Sequence, residues 1–153
     1  MNWKLVVACC AISVMAEAPA GYQHWSADTL RGFDKTLGAK MDPHKIAGAA
    51  LANYGNHNAG ITHREASGEA ELHESMADLF VVQAGKATLV VGGEVLEPRT
   101  TAPGEIRGTS IHGGVQQPLA PGDIVHIPAN TAHQLLLAPG ATFTYFVMKV
   151  ASK

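Results

Sequence analysis

The chain has 153 residues, of which 46% are hydrophobic and 16% charged, and its formal net charge is −2. This size and composition indicate one globular domain and exclude a disordered, fibrous or multidomain protein. The 11 basic and 13 acidic residues form no long run of either sign, which argues against nucleic acid or an anionic membrane as a partner.

Residues 1–20 have the pattern of a secretory signal peptide. Lys4 precedes an apolar run over residues 5–16, and small residues surround the first proline, Pro19. The run is shorter than the roughly 20 residues that a membrane-spanning helix needs, so no membrane span is predicted. We expect export to the periplasm or the cell exterior, with cleavage after Ala20 or, as the alternative, after Ala16.

Both cysteines, Cys9 and Cys10, lie in this predicted signal peptide. The mature chain would then carry no thiol in an oxidising compartment. Disulfides, thiolate catalysis and cysteine-ligated metal sites are excluded together. The roughly 130 residues that remain are enough for one hydrophobic core without covalent cross-links.

A short amphipathic helix is predicted directly after Ser26. Ser26 is a suitable N-cap, Asp28 is an acid in the first turn, and apolar residues recur at positions 30, 33 and 37. Gly38 and then the Asp42-Pro43 pair end the helical pattern.

Beyond the helix, the sequence changes to short stretches of β-forming residues separated by glycine and proline. Ten segments have this pattern: 48–54, 59–65, 69–74, 79–83, 87–91, 95–96, 115–119, 124–127, 132–137 and 142–149. Many short strands behind a single helix predict an all-β antiparallel sandwich or barrel. Gly92-Gly93 predicts a two-residue hairpin turn. Residues 98–114 predict a long irregular loop at one end of the barrel.

Two segments, residues 71–85 and 121–134, contain the histidines and acids best suited to metal binding or proton transfer. Glu71 and His73 are two positions apart, so on a strand their side chains project from the same face. In the first segment six residues separate Asp78 from Gly85.

These segments resemble the two motifs of the cupin superfamily, G-x5-H-x-H-x3,4-E-x6-G and G-x5-P-x-G-x2-H-x3-N. Six motif places hold matching or similar residues: His73, Asp78, Gly85, Gly122, Pro128 and His133. The resemblance covers nearly the whole mature domain. It implies an antiparallel double-stranded β-helix, or jelly-roll barrel, of the small single-domain (cupin type 2-like) kind. The predicted division is a signal peptide over 1–20, the helix and lead-in over 21–47, and the barrel over 48–150.

Several motif places differ from the family pattern. Glu71 replaces the first histidine, Asp78 the glutamate, Leu137 the closing asparagine and Glu65 the opening glycine. Asn130 replaces a turn glycine, which is a mild change because asparagine tolerates the left-handed conformation. In the family, three histidines and a glutamate commonly hold a divalent metal, and here only two of those histidines are present.

A metal site is still compatible with these residues. The resemblance places His133 across from Glu71 and His73. Two imidazoles and one carboxylate form the donor set of non-haem iron centres and also suit manganese, zinc or nickel. Asp78 is one methylene shorter than glutamate, so either Glu71 alone supplies the carboxylate or both acids bind. The candidate metal ligands are therefore His73, His133, Glu71 and Asp78, and the acid left free, Glu71 or Asp78, is the candidate for catalytic proton transfer.

The alternative interpretation is a barrel that has lost its metal. Glu71 and His73 would then form an internal pair, and Arg107 or Arg64 would neutralise the carboxylate, because an unpaired buried charge is costly. In either case residues 105–114 could act as a lid over the barrel mouth or, as we favour, as a solvated connector.

The remaining polar residues carry weaker predictions. His126 is expected to be a core or surface histidine rather than a ligand, and Gln134 faces away from His133 on a strand. His24, His57 and His63 are expected at the surface or early in strands, with no special role.

Two functions follow from these observations. The first is an exported metalloenzyme of the isomerase, lyase or dioxygenase type that acts on a small oxygen-rich molecule. The second is a non-catalytic barrel that binds a small ligand without metal. The resemblance and the free strand edges also suggest a homodimer.

Overall fold

The computed structural model describes residues 17–152. Residues 1–16, which contain most of the predicted signal peptide, lie outside this range. Within it, no helix is both long enough and apolar enough to cross a membrane.

The described range contains one helix, α1 (Ala27–Gly38), as predicted. The Ser26 hydroxyl accepts a hydrogen bond from the Thr29 amide at 3.1 Å, which caps the first turn. Leu37 is 3% exposed and packs against Ala47 and Ile61. The apolar stripe of the helix thus covers one face of the neighbouring sheet.

The strands begin eight residues after the helix. They are β1 (Ile46–Asn53), β2 (His57–Arg64), β3 (Ala70–His73), β4 (Met76–Gly85), β5 (Ala87–Val91), β6 (Glu94–Leu96), β7 (Arg99–Ala102), β8 (Glu105–Gly108), β9 (Ser110–His112), β10 (Val115–Leu119), β11 (Ile124–Ile127), β12 (His133–Leu136) and β13 (Phe143–Ala151). All ten predicted strands are present. The structure adds β7, β8 and β9.

Two antiparallel sheets form the barrel. The first has five strands in the order β1-β2-β13-β4-β11, and the second has six in the order β10-β5-β12-β3-β8-β7. Strands β6 and β9 form a separate pair. A cluster of buried side chains from both sheets fills the space between them: Phe80, Val82, Ala87, Leu89, Leu119, Ile127, Leu135, Phe143 and Tyr145. The prediction of an all-β antiparallel barrel with one short helix is confirmed.

The predicted irregular loop over residues 98–114 is wrong, because this segment extends the six-stranded sheet. Strand β8 pairs with β3, which places Arg107 opposite Glu71 and Glu105 opposite His73. Pairing satisfies backbone groups that would otherwise be open along the edge of β3. The segment is therefore a wall of the site, neither a lid nor a solvated connector.

The predicted hairpin between the strands flanking Gly92-Gly93 is also wrong. Both glycines have the expected positive φ, 78° and 76°. However, β5 already has β10 and β12 as its two neighbours, and β6 pairs with β9 instead. The turn therefore carries the chain out of the sheet.

Gly85 shows why the first motif ends in glycine. Its φ is 78°, and a Cβ there would lie 1.9 Å from the carbonyl oxygen of Thr142. The turn from β4 to β5 thus passes directly against the start of β13, which only glycine allows. Asn130 has φ 58°, as its replacement of a turn glycine predicts.

Candidate metal centre

Both sheets contribute to one polar cluster inside the barrel. The six-stranded sheet supplies Glu71 and His73 from β3 and His133 from β12, and the five-stranded sheet supplies Asp78 from β4. Glu71 and His73 share a face, as predicted. His133 lies directly opposite Glu71 on the neighbouring strand β12. Asp78 faces them from the other sheet.

The distances between the candidate ligand atoms are similar. His73 Nε2 lies 3.6 Å from Glu71 Oε2 and 3.5 Å from Asp78 Oδ2, and His133 Nε2 lies 3.6 Å from the same Asp78 oxygen. Glu71, His73 and His133 each also offer a ligand atom within 4.8 Å of the other two. Neighbouring ligands in a tetrahedral site with bonds of about 2.0–2.2 Å are about 3.3–3.6 Å apart. The residues present therefore fit a divalent ion.

Both histidines direct Nε2 toward this cluster. His73 Nδ1 lies 2.8 Å from Glu105 Oε2, and His133 Nδ1 lies 3.1 Å from the carbonyl oxygen of Thr131. A carboxylate oxygen and a carbonyl oxygen can accept a hydrogen bond but cannot donate one. In the neutral imidazoles the ring hydrogen is therefore on Nδ1, and Nε2 presents a lone pair. Metal-ligating histidines are held in this way.

Burial and neighbouring charges set the protonation states. His133 is 4% exposed, and its burial lowers its pKa, which favours the neutral ring. Burial by itself would raise the pKa of Asp78, but the contact with His73 and the charge of Lys149 outweigh burial and lower it. At neutral pH the centre thus offers a neutral imidazole and an ionised carboxylate, the forms that bind metal.

Glu71 has a different environment from Asp78. Arg64 Nη2 donates to Glu71 Oε1 at 3.0 Å, and Arg107 Nη2 lies 3.5 Å from Oε2. Burial would raise the pKa of Glu71, but Arg64 and then Arg107 outweigh it and lower the pKa. Both arginines of the metal-free interpretation therefore contact Glu71. Asp78, despite its shorter side chain, has one oxygen within 3.6 Å of Nε2 of both histidines, whereas Glu71 comes this close only to His73.

The sequence analysis missed Lys149, on β13 directly opposite Asp78. Its Nζ lies 2.7 Å from His73 Nε2 and 2.9 and 3.1 Å from the two Asp78 oxygens. Tyr145, Val147 and Lys149 all line the same cavity. This alternation along β13 is the signal that would have placed Lys149 inside the barrel.

A cavity of about 390 Å³ adjoins the cluster, within the size range of small-molecule sites. Its polar lining is formed mainly by Arg64, Glu71, Asp78, Arg107, His133, Gln134, Tyr145 and Lys149. Burial raises the pKa of Tyr145, so its phenol keeps its proton at neutral pH. The cavity therefore combines cations, acids and a neutral hydroxyl around one small volume.

No family model matches the sequence, and no curated protein is similar to it. Solved structures do share its fold. A cupin-2 domain from Rhodospirillum rubrum is similar with a TM-score of 0.52 and 15% identity, over 72% of this chain and 62% of that one. The cupin domain of Cnp3 from Schizosaccharomyces pombe is similar with a TM-score of 0.53 and 10% identity, over 71% and 66% of the two chains. The chain has the cupin fold.

A third similar structure is the DMSP lyase DddQ from Ruegeria pomeroyi, with a TM-score of 0.50 and 17% identity. The match covers 69% of this chain and 47% of the lyase, so it spans about half of that protein. At these identities the similarity establishes the cupin fold alone.

Three further polar residues considered from the sequence, His126, Gln134 and His63, are not members of the cluster. His126 is exposed on β11, which is the surface position, one of the two placements predicted for it. Gln134 donates to the Gly68 carbonyl at 2.9 Å, so its amide is held by the backbone although it lines the cavity. His63 lies on β2, so the strand alternative holds and the surface alternative is wrong: it is 2% exposed, and its Nδ1 lies 2.7 Å from Thr144 Oγ1.

Proposed function

We propose that this cupin binds one divalent metal ion through Nε2 of His73, Nε2 of His133 and the carboxylate of Asp78, with Glu71 as the further candidate ligand. One observation carries the proposal: both Nδ1 atoms are held by acceptors, and both Nε2 atoms converge within 3.6 Å of the same Asp78 oxygen. The donor set suits manganese, iron, zinc or nickel.

The ion would act as a Lewis acid on a carbonyl or carboxylate oxygen, or support dioxygen chemistry if it is iron. The cavity residues suggest the rest of the chemistry. Arg64 and Arg107 offer donors for the anionic oxygens of a ligand. Glu71 stays ionised and is the acceptor for a proton removed next to the polarised oxygen, while Tyr145 donates a hydrogen bond.

This arrangement favours a small oxygen-rich substrate, such as a keto acid, an enol or a sugar, and chemistry of the isomerase, lyase or dioxygenase type. A DMSP lyase with the same fold is compatible with the lyase option. We extend the proposal to export, which rests on residues 1–20, and to a homodimer, which rests on the free edges of β1 and β10.

A non-catalytic ligand-binding barrel is the second candidate. The two arginine contacts of Glu71 and the ammonium contacts of Lys149 favour it, because they neutralise the acids of the cluster without a metal. In this case the cavity would bind a small anion by exchange of these ion pairs.

Elemental analysis of the protein purified without a histidine tag separates the two functions. We expect about one ion per chain in the wild type and its loss in His73→Ala and His133→Ala. His126→Ala removes an exposed histidine and should retain the ion. Asp78→Asn should lose more metal than Glu71→Gln. If the wild type takes up none of the four ions, the metal proposal is wrong and the ligand-binding barrel remains.

A further inference from the structure

We infer that Lys149 competes with the metal ion for the centre, so that the ion displaces its ammonium group into the cavity. This inference rests on the proposed metal site. It concerns a residue that is no ligand itself but contacts two of the proposed ligands.

The contacts make the two occupants mutually exclusive. Lys149 Nζ lies 2.7 Å from His73 Nε2, and the His73 Nδ1 hydrogen is already directed at Glu105. A neutral imidazole has one lone pair in the ring plane, on Nε2 here, and it cannot both accept from the ammonium and bind a metal. The same ammonium also holds both oxygens of Asp78.

The positions of the three groups decide which one moves. The side chains of His73 and Asp78 are each 2% exposed, whereas that of Lys149 is 29% exposed and lines the cavity. Lysine carries its charge on a flexible four-carbon stem. An ion can therefore take His73 and Asp78 while the ammonium turns toward the open part of the cavity.

The displaced ammonium would gain a role at the site. Lys149 would then stand on the cavity wall beside the ion, with its charge no longer compensated by Asp78. There it can bind an anionic oxygen of a ligand. Metal uptake would thus prepare the cavity for a carboxylate or similar group.

Calorimetric titration with Zn²⁺ alone tests the competition. We expect Lys149→Met to bind Zn²⁺ about 10- to 100-fold more tightly than the wild type, because the ion no longer has to break the hydrogen bonds of the charged ammonium group. Lys149→Gln, which keeps an N–H donor, should lie between them. Lys86→Met removes the same charge from an exposed position and should leave the dissociation constant within about twofold.

Amine labelling of the wild type tests displacement directly and does not depend on a variant that folds. With acetic anhydride and mass spectrometry, Zn²⁺ should increase the acetylation of Lys149 several-fold and leave that of Lys86 unchanged. Tighter binding by Lys149→Met without this increase would show that the charge acts at a distance, and would overturn displacement.

The outcomes separate the two proposals. Equal dissociation constants for the wild type and Lys149→Met would overturn the role of Lys149 and leave the metal site standing. Binding by Lys149→Met alone would overturn both displacement and the proposed metal site, because the ammonium would then be the resident cation of the wild type. Failure of every variant to bind Zn²⁺, Mn²⁺, Fe²⁺ or Ni²⁺ would overturn both proposals.

Discussion

The two ends of the barrel are built from the same strands but have opposite character. On β13, Phe143 lies fully buried at one end, and Lys149 contacts the candidate ligands His73 and Asp78 at the other. On β4, Val82 belongs to the apolar cluster, and Asp78 faces the histidines. The packed core and the polar site thus belong to one domain, and the position of a residue along these strands decides which of the two it joins.

The comparison shows that the two ends are stabilised by different means. The apolar end gains from close packing, which has no charge requirement. The polar end buries ions, which are tolerated only in pairs, and the acids Glu71 and Asp78 each have a cation within 3.0 Å. We therefore expect mutations at the apolar end to change stability and mutations at the polar end to change binding.

Phe143→Ala, at the apolar end, should lower the stability of the fold more than any other change proposed. Phe143 is 0% exposed within the core cluster, so its removal leaves a cavity. We expect the free energy of unfolding to fall by about 3–5 kcal/mol, measured by urea denaturation. A loss below about 1 kcal/mol would mean that this end is not the main source of stability.

At the polar end, Glu105→Ala should have a smaller effect, and on metal binding rather than on stability. Glu105 contacts no proposed ion but holds His73 Nδ1 at 2.8 Å. We expect Zn²⁺ binding to weaken about 10- to 100-fold, because the ring loses its orientation. Glu105→Gln, which keeps an acceptor, should recover part of the affinity, and the exposed Glu94→Gln serves as the control. Unchanged affinity in Glu105→Ala would show that packing alone orients His73.

A second polar cluster, beneath helix α1, should affect stability, as the core does, and leave metal binding unchanged. The Thr144 hydroxyl is buried, donates to Asp34 Oδ1 at 2.6 Å and accepts from His63 Nδ1 at 2.7 Å. Thr144→Val keeps the shape and should cost about 1–3 kcal/mol of stability with no change in Zn²⁺ binding. The exposed Thr142→Val is the matched control. A change in Zn²⁺ affinity would mean that the two clusters are coupled.

The smallest effect concerns pH. The pKa of His133 is lowered in the folded chain, so between its ordinary value of 6.5 and the folded value the unfolded chain binds more protons. His133 should therefore lower the free energy of unfolding as pH falls below about 6.5. Above that pH its contribution should stay constant. Asp78 and Glu71, whose pKa values are also lowered, should add a further loss as pH falls through and below their ordinary values of 3.8 and 4.5.

Urea denaturation between pH 7.5 and pH 3 measures this dependence. His133→Gln should remove the part of the slope just below pH 6.5 and keep the loss at lower pH. A slope of the opposite sign in the wild type, with stability rising on acidification below pH 6.5, would contradict the neutral state of His133.

Much of the fold could be predicted because its signals are local. Ser26 caps the helix through atoms three residues away. Most of the ten predicted strands lie between glycine or proline breaks. The same holds for Glu71 and His73, whose shared face follows from their spacing on one strand. Gly85 and Asn130 likewise adopt the positive φ that their motif places suggest.

The partners of these residues could not be predicted in the same way. Glu105 meets His73 only because β8 joins the edge of β3 in one register, 32 positions away along the chain. Lys149 meets His73 across 76 positions through the pairing of β13 with β4. A shift of one residue in either register would turn these side chains to the opposite face.

Ten of the strands, the positive φ of Gly92, Gly93 and Asn130 and the set of candidate ligands could be predicted from the sequence, because propensity, periodicity and motif spacing act over a few residues. The tertiary structure was needed to place one Asp78 oxygen within 3.6 Å of both histidines and to place Lys149 beside His73 and Asp78. These contacts depend on which strands become neighbours and in which register they pair. Strand order and register are set by the burial of one continuous core and by backbone pairing over the whole barrel.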